Sequence, residues 1–248
     1  LAAESKLSTA VAGAAPARRH TAFERLLCPM LIVAAGLFAY RNSFTGVFLF
    51  DDFHSIVDNP LVRDPGGSWR TIVTTMRPLV TLSLALNYYF CSGHIDVAGF
   101  HVFNLGVHLA AALLLYGLVR RTLELPAYRD RIQGNAAAFA LAVASIWVVH
   151  PLQTQSVTYI IQRSEALMGM FYLLTLYATL RAHRATKFRP AWYAVGVAGC
   201  ALGMLSKEVM VTAPVVVALY DWVFLTHFWR RLVRERWGYY LALAATWG

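Results

Sequence analysis

Charge is scarce in this sequence. Only 14% of its 248 residues are Asp, Glu, Lys or Arg, where a soluble domain carries about 25% to cover its surface. Lysine is nearly missing, at three against 19 arginines. Cysteine is as sparse. Cys28, Cys91 and Cys200 are odd in number and far apart, which gives no metal-ligand spacing and leaves small apolar packing residues. No glycine-rich phosphate loop is present and no convincing internal repeat. The acidic residues number 13 against 22 basic ones, a net charge of +9. The basic residues gather at the ends of apolar runs rather than along one face, which argues for membrane orientation and against nucleic acid.

What is abundant is apolar. Hydrophobic residues make up 58% of the chain, with a mean hydropathy of +0.51, and they fall in blocks that point to lipid as the solvent. The blocks predict spans at Leu26–Gly46, Gly99–Val119, Ala136–Val149, Val157–Leu180, Ala191–Leu205 and Val209–Phe228, with a seventh begun at Trp237. The third and fifth fall below the ~17 residues needed to cross. They qualify only if their helices run on into the polar residues that follow. The expected fold is an all-α, polytopic transmembrane bundle over residues 26–248, with about seven spans and a disordered, basic cytoplasmic segment over residues 1–25. The first residue is Leu1 and the last are Trp247-Gly248 inside an apolar run, so both ends are expected to be cuts.

Lys and Arg set the orientation. Lys6, Arg18, Arg19 and Arg25, then Arg120, Arg121, Arg129 and Arg131, then Arg181, Arg184, Lys187 and Arg189, then Arg230, Arg231, Arg234 and Arg236 make sixteen on one side. The other side holds Arg41, Arg63, Arg70, Arg77, Arg163 and Lys207. Strict alternation puts the four clusters and the N-terminus in the cytoplasm. The unusual residues are then outside.

The long outer loop, Val47–Ala98, opens FLFDDFHSIVDNP with the carboxylates Asp51 and Asp52 adjacent. Two such groups can divide labour, one taking a proton and the other orienting it or tuning its pKa, although acidic residues also simply solvate loops. Farther on, Arg77-Pro78 starts LVTLSLALNYYF, with Leu79, Leu82, Leu86 and Tyr89 on one helical face. This is either an interfacial helix or a loop helix packed on the bundle. His101, Asn104 and His108 share a face of the second span and must look into the bundle, for interhelical hydrogen bonds rather than metal. His150 closes the third span in HPLQTQ. Arg163 and Glu165 open the fourth, and Lys207-Glu208 joins the fifth to the sixth without a spacer. Charges at membrane depth cost ~2.5–3.5 kcal/mol each even on lenient scales. Four together therefore imply an outer polar cavity, or Arg163–Glu208 and Lys207–Glu165 pairs that only staple helices. Asp221, deep in the sixth span, has no assigned role.

FLFDDFHSIVDNP, RPLVTLSLALNYYF, GFHVFNLGVHLAAALLLY, VVHPLQTQSVTYIIQRSEAL and LSKEVMVTAPVVVALYDW follow in that order. Together they resemble the transmembrane and tetratricopeptide-repeat protein O-mannosyltransferases and their bacterial relatives, in the GT-C class of membrane glycosyltransferases. The resemblance covers roughly Leu26 to Trp222. It implies transfer of a sugar, mannose or similar, from a polyprenyl-phosphate donor to a protein or glycan acceptor on the extracytoplasmic face. By the same resemblance Asp51 or Asp52 is the catalytic base, and Arg163 and Lys207, with Arg77 as a third candidate, hold the donor phosphate. Glu165 and Glu208 orient them, and His101, Asn104 and His150 support the site. No metal site is expected among these residues, and the sequence leaves divalent-metal dependence open. The arginine excess hints at a bacterial cytoplasmic membrane. A transporter or flippase-like lipid-phosphate binder is the alternative, and a non-catalytic scaffold a third reading.

Overall fold

The computed structural model describes residues 22–63, 70–132, 134–226 and 229–247. Most of the segment expected to be disordered, residues 1–25, lies outside the described residues. Helices make up the described chain, without a strand among those residues. They are α1 Ala22–Ala39, α2 Pro78–Phe90, α3 Val97–Leu123, α4 Ala136–Val149, α5 Arg163–Arg184, α6 Arg189–Met204, α7 Ala213–Tyr220 and α8 Trp229–Ala244, joined by short single turns.

The local sequence explains where these helices start and stop. Asp96 caps α3, its carboxylate accepting from the N–H groups of Ala98 and Gly99 at 3.2 and 3.0 Å. Pro78 and Pro190 open α2 and α6, where a missing N–H costs nothing. Pro151 ends α4 by forcing His150 out of the helical region, to φ −65° and ψ 132°. The His150 ring accepts from the N–H of Leu152 at 3.2 Å, and the chain resumes as Pro151–Thr158, bent by 53° from α4. The third span therefore does run on into its polar residues, but around a break. The fourth helix starts at Arg163 rather than Val157, because residues 154–162 form separate short turns.

Among the described residues three stretches are long and apolar enough to cross a membrane: Leu26–Thr45, Val97–Leu123 and Glu208–Thr226. The bent pair makes a fourth if it counts as one span. Seven crossings do not follow from length and composition. At 1.5 Å per residue the 16-residue helices α6 and α8 measure about 24 Å against a hydrocarbon core of about 30 Å. α5 is long enough but carries charged residues in both its first and last turns.

Packing follows the chain: α1 and α3 flank α4, and α5 lies between α3 and α6. Large apolar side chains remain exposed on the outer helix faces, among them Met30, Phe38, Phe139, Ile146, Val215 and Leu219, an outward surface suited to lipid. α2 uses both its faces. Its leucine stripe is turned away from the bundle at Leu82, Leu86 and Tyr89, while Val80, Ser83, Leu84 and Asn87 are buried. One side of the helix thus packs on the bundle, as the second reading expects, and its leucine side is left exposed.

Close helix contact at α6 rests on small residues. A Cβ on Gly196 would run into the Tyr239 hydroxyl, which pairs with Thr179 at 2.7 Å. Gly196→Ala should therefore cost about 1–3 kcal/mol through overpacking. Gly106→Ala, which would meet nothing within 4 Å, should gain about 0.5–1 kcal/mol from helix propensity. Thermal unfolding of the two variants in one detergent checks the contrast.

Candidate active site

The acidic pair is split by its surroundings. Phe50 precedes it with φ +41°, a strained conformation for a bulky residue and one that gathers at functional sites. Phe53–Val57 follows as a single π-helical turn. Between them Asp52 is fully buried and Asp51 is exposed. One Asp52 oxygen accepts from the N–H of Ile161 at 2.8 Å, the other from the N–H of Leu49 at 3.0 Å. Burial holds the Asp52 carboxyl above the usual carboxylate range, against those two donors, which pull it down. Asp51 sits beside Tyr159. Its N–H donates to the Tyr159 hydroxyl at 3.2 Å, and its carboxylate lies next to the same hydroxyl.

Arg163 is placed elsewhere than expected. It is completely buried and donates through Nε to Asn104 at 2.7 Å. Nη1 reaches the carbonyl and hydroxyl of Ser83 at 3.1 and 3.4 Å, and Nη2 reaches Asn87 at 2.9 Å and the Phe100 carbonyl at 3.2 Å. The guanidinium also lies 4.2 Å from the centre of the Phe103 ring. All five of its N–H groups are engaged, by neutral oxygens, so none is left for a phosphate in this arrangement. It ties α2 to α3. Asn104 extends the tie to the carbonyls of Ile160 and Val157, at 3.2 and 3.5 Å. His101 is buried in the same layer, with Nδ1 3.4 Å from the Val157 carbonyl and Nε2 without a partner.

The remaining charges form two pairs at the α6–α7 corner. Arg77 meets Glu208 at 3.3 Å, with both side chains well exposed, and Lys207 meets Glu165, half-buried. The Leu79 N–H donates to the Leu205 carbonyl at 3.2 Å beside them. The structure thus forms Lys207–Glu165 but gives Glu208 to Arg77 rather than Arg163. Glu165 is also in the wall of a cavity of about 280 Å³ inside the α4 bend, together with Gln153, Gln155, Gln162, His108 and Trp147. Asp51, Asp52, Arg163 and Lys207 do not line that cavity. His150 stays outside it as the cap of the bend, and no metal-binding cluster exists among the described residues.

Sequence reasoning missed Ser83, Asn87, Tyr159 and the N–H of Ile161. Ser83 and Asn87 could have been found, being polar and four apart on one face of a largely apolar helix. The other two give no signal, since a tyrosine at an interface is common and a backbone donor has no residue type.

A model of the dolichyl-phosphate-mannose-protein mannosyltransferase family matches residues 93–247. Among curated proteins, the protein O-mannosyl-transferase tmtc2 of Xenopus laevis is 30% identical, over 82% of this chain and 24% of its own length. The protein O-mannosyl-transferase TMTC4 of Homo sapiens is 26% identical, over 77% of this chain and 29% of its own. The Drosophila melanogaster protein O-mannosyl-transferase Tmtc2 is 30% identical over 73% of this chain. The chain thus spans about a quarter of the length of these relatives. No solved structure matches it. With helices able to span a membrane and a family match over more than half its length, the chain is an integral membrane protein of the dolichyl-phosphate-mannose-protein mannosyltransferase family.

Proposed function

We propose that the protein moves a sugar, mannose or a near relative, from a polyprenyl-phosphate donor to a hydroxyl of a protein acceptor outside the cytoplasm. The observation that carries this reading is the division of the acidic pair. Asp52 is held by two backbone donors, and Asp51 is presented beside it on a strained, exposed turn. Asp51 accepts the proton of the acceptor hydroxyl, the freed oxygen attacks the anomeric carbon, and the glycosyl–phosphate bond breaks. Arg77 and Lys207 hold the phosphate as its charge grows, since among the described residues each is paired with a single carboxylate. Arg163 supports the frame. In the proposed topology all seven bundle helices cross, the shorter ones with help from flanking turns, and the arginine-rich ends face the cytoplasm.

The broken span favours a second reading. Backbone outside a helix at membrane depth is tolerated where it is buried in protein or lines a polar cavity, and transporters build binding sites this way. One experiment separates the two. Full-length protein in vesicles receives a polyprenyl-phosphate mannose and a serine/threonine peptide, and mannosyl-peptide and lipid movement across the bilayer are both measured. Mannosyl-peptide formation is expected. Lipid movement without it would favour transport.

A further inference from the structure

At the end of the bundle opposite the long loop, two arginines converge without an acid between them. Arg121 of α3 donates from Nε to the Tyr177 hydroxyl at 3.2 Å, and Arg181 of α5 donates from Nη1 to the same oxygen at 3.1 Å. Two cations bonded to one oxygen repel each other, and among the described residues neither pairs with a carboxylate. The nearby Glu124 is taken by Arg120 at 2.9 Å and Arg184 at 3.4 Å. The phenol cannot withdraw. A Cβ on Gly117 would come within 2.9 Å of its ring, and Trp192 of α6 closes the other side, edge to face at 6.1 Å. The Arg181 guanidinium lies 4.3 Å from the centre of the Trp192 ring. The two cations therefore meet at a fixed phenol between three helices, beside a tryptophan.

We propose that Arg121 and Arg181 hold the phosphate of an anionic phospholipid headgroup. A phosphate supplies the negative charge that relieves their repulsion, and guanidinium forks match its oxygens. A lipid fits better than a free ion because both arginines lie at helix ends. Trp192 occupies the position of an interfacial aromatic anchor, and α6 continues beyond it with the exposed apolar surface of Ala194 and Val195. Basic clefts between helices are the usual form of such headgroup sites.

The test is native mass spectrometry of the purified full-length protein, titrated with phosphatidylglycerol and with phosphatidylcholine. The parent should retain phosphatidylglycerol in preference. Arg121→Gln with Arg181→Gln should weaken that retention by roughly fivefold per arginine. Arg129→Gln removes the same charge from an exposed position and should leave retention unchanged. If the double variant fails to insert, each single variant should still show its fivefold loss. Equal retention of both lipids, equal loss in Arg129→Gln, or full competition by inorganic phosphate would overturn the proposal.

Discussion

Arg163→Lys should lower the stability of the protein by about 2–4 kcal/mol, from buried acceptors left unpaired at about 1–3 kcal/mol each. Lysine keeps the charge, so a phosphate contact or a simple ion pair would survive in part. The planar fork is what this position uses. One ammonium cannot reach Asn104, Ser83, Asn87 and the Phe100 carbonyl together, because these approach from two helices along three different N–H directions. Arg163→Ala should be worse still. Thermal unfolding in detergent, followed by circular dichroism, reads the effect. Lys207→Ala is the internal comparison, since its pair with Glu165 is partly exposed and should be worth about 1 kcal/mol or less. An Arg163→Lys protein that melts like the parent but uses the donor poorly would make Arg163 a ligand after all.

Asp51→Asn should reduce sugar transfer by about 10²–10⁴-fold, the usual cost of losing a positioned general base, while unfolding stays where it was. The exposed carboxylate supports no buried neighbour, so the fold has nothing to lose by its neutralisation. Asp52→Asn should behave in the opposite order. An asparagine has one acceptor oxygen, and its amide would face an N–H of Leu49 or Ile161. The unpaired donor costs about 1–3 kcal/mol and frees the turn that presents Asp51. Its activity loss should therefore come with a lower melting temperature, which Asp51→Asn does not share. Transfer rates and melting curves on the two variants decide between the roles. Unchanged transfer in Asp51→Asn would remove it as the base.

Much of the architecture could be read from the chain directly. α3, α4 and α6 fall within a few residues of the apolar runs that predicted them, because the wish to leave water and the capping and proline signals are local. The order of five motifs likewise pointed to the family that the comparisons show. Seven spans do not follow from hydropathy, which counts residues and does not see where a helix breaks. Val157–Leu180 looked continuous, yet residues 154–162 turn separately before α5 begins.

Membrane character, helix order and family came from the sequence itself, since apolar blocks and motif order are properties of the chain. The fate of each charged residue did not. Whether Asp51 or Asp52 is free depends on the N–H of Ile161, more than a hundred positions away. Whether Arg163 faces a cavity or a core depends on Ser83 and Asn87, brought to it by a helix in another part of the chain. Glu208 took Arg77 as its partner because the start of α2 docks at the α6–α7 corner. A charge at membrane depth must find a partner, and the sequence states that need. Which partner satisfies it is a matter of distances between distant segments, and only the folded chain sets those.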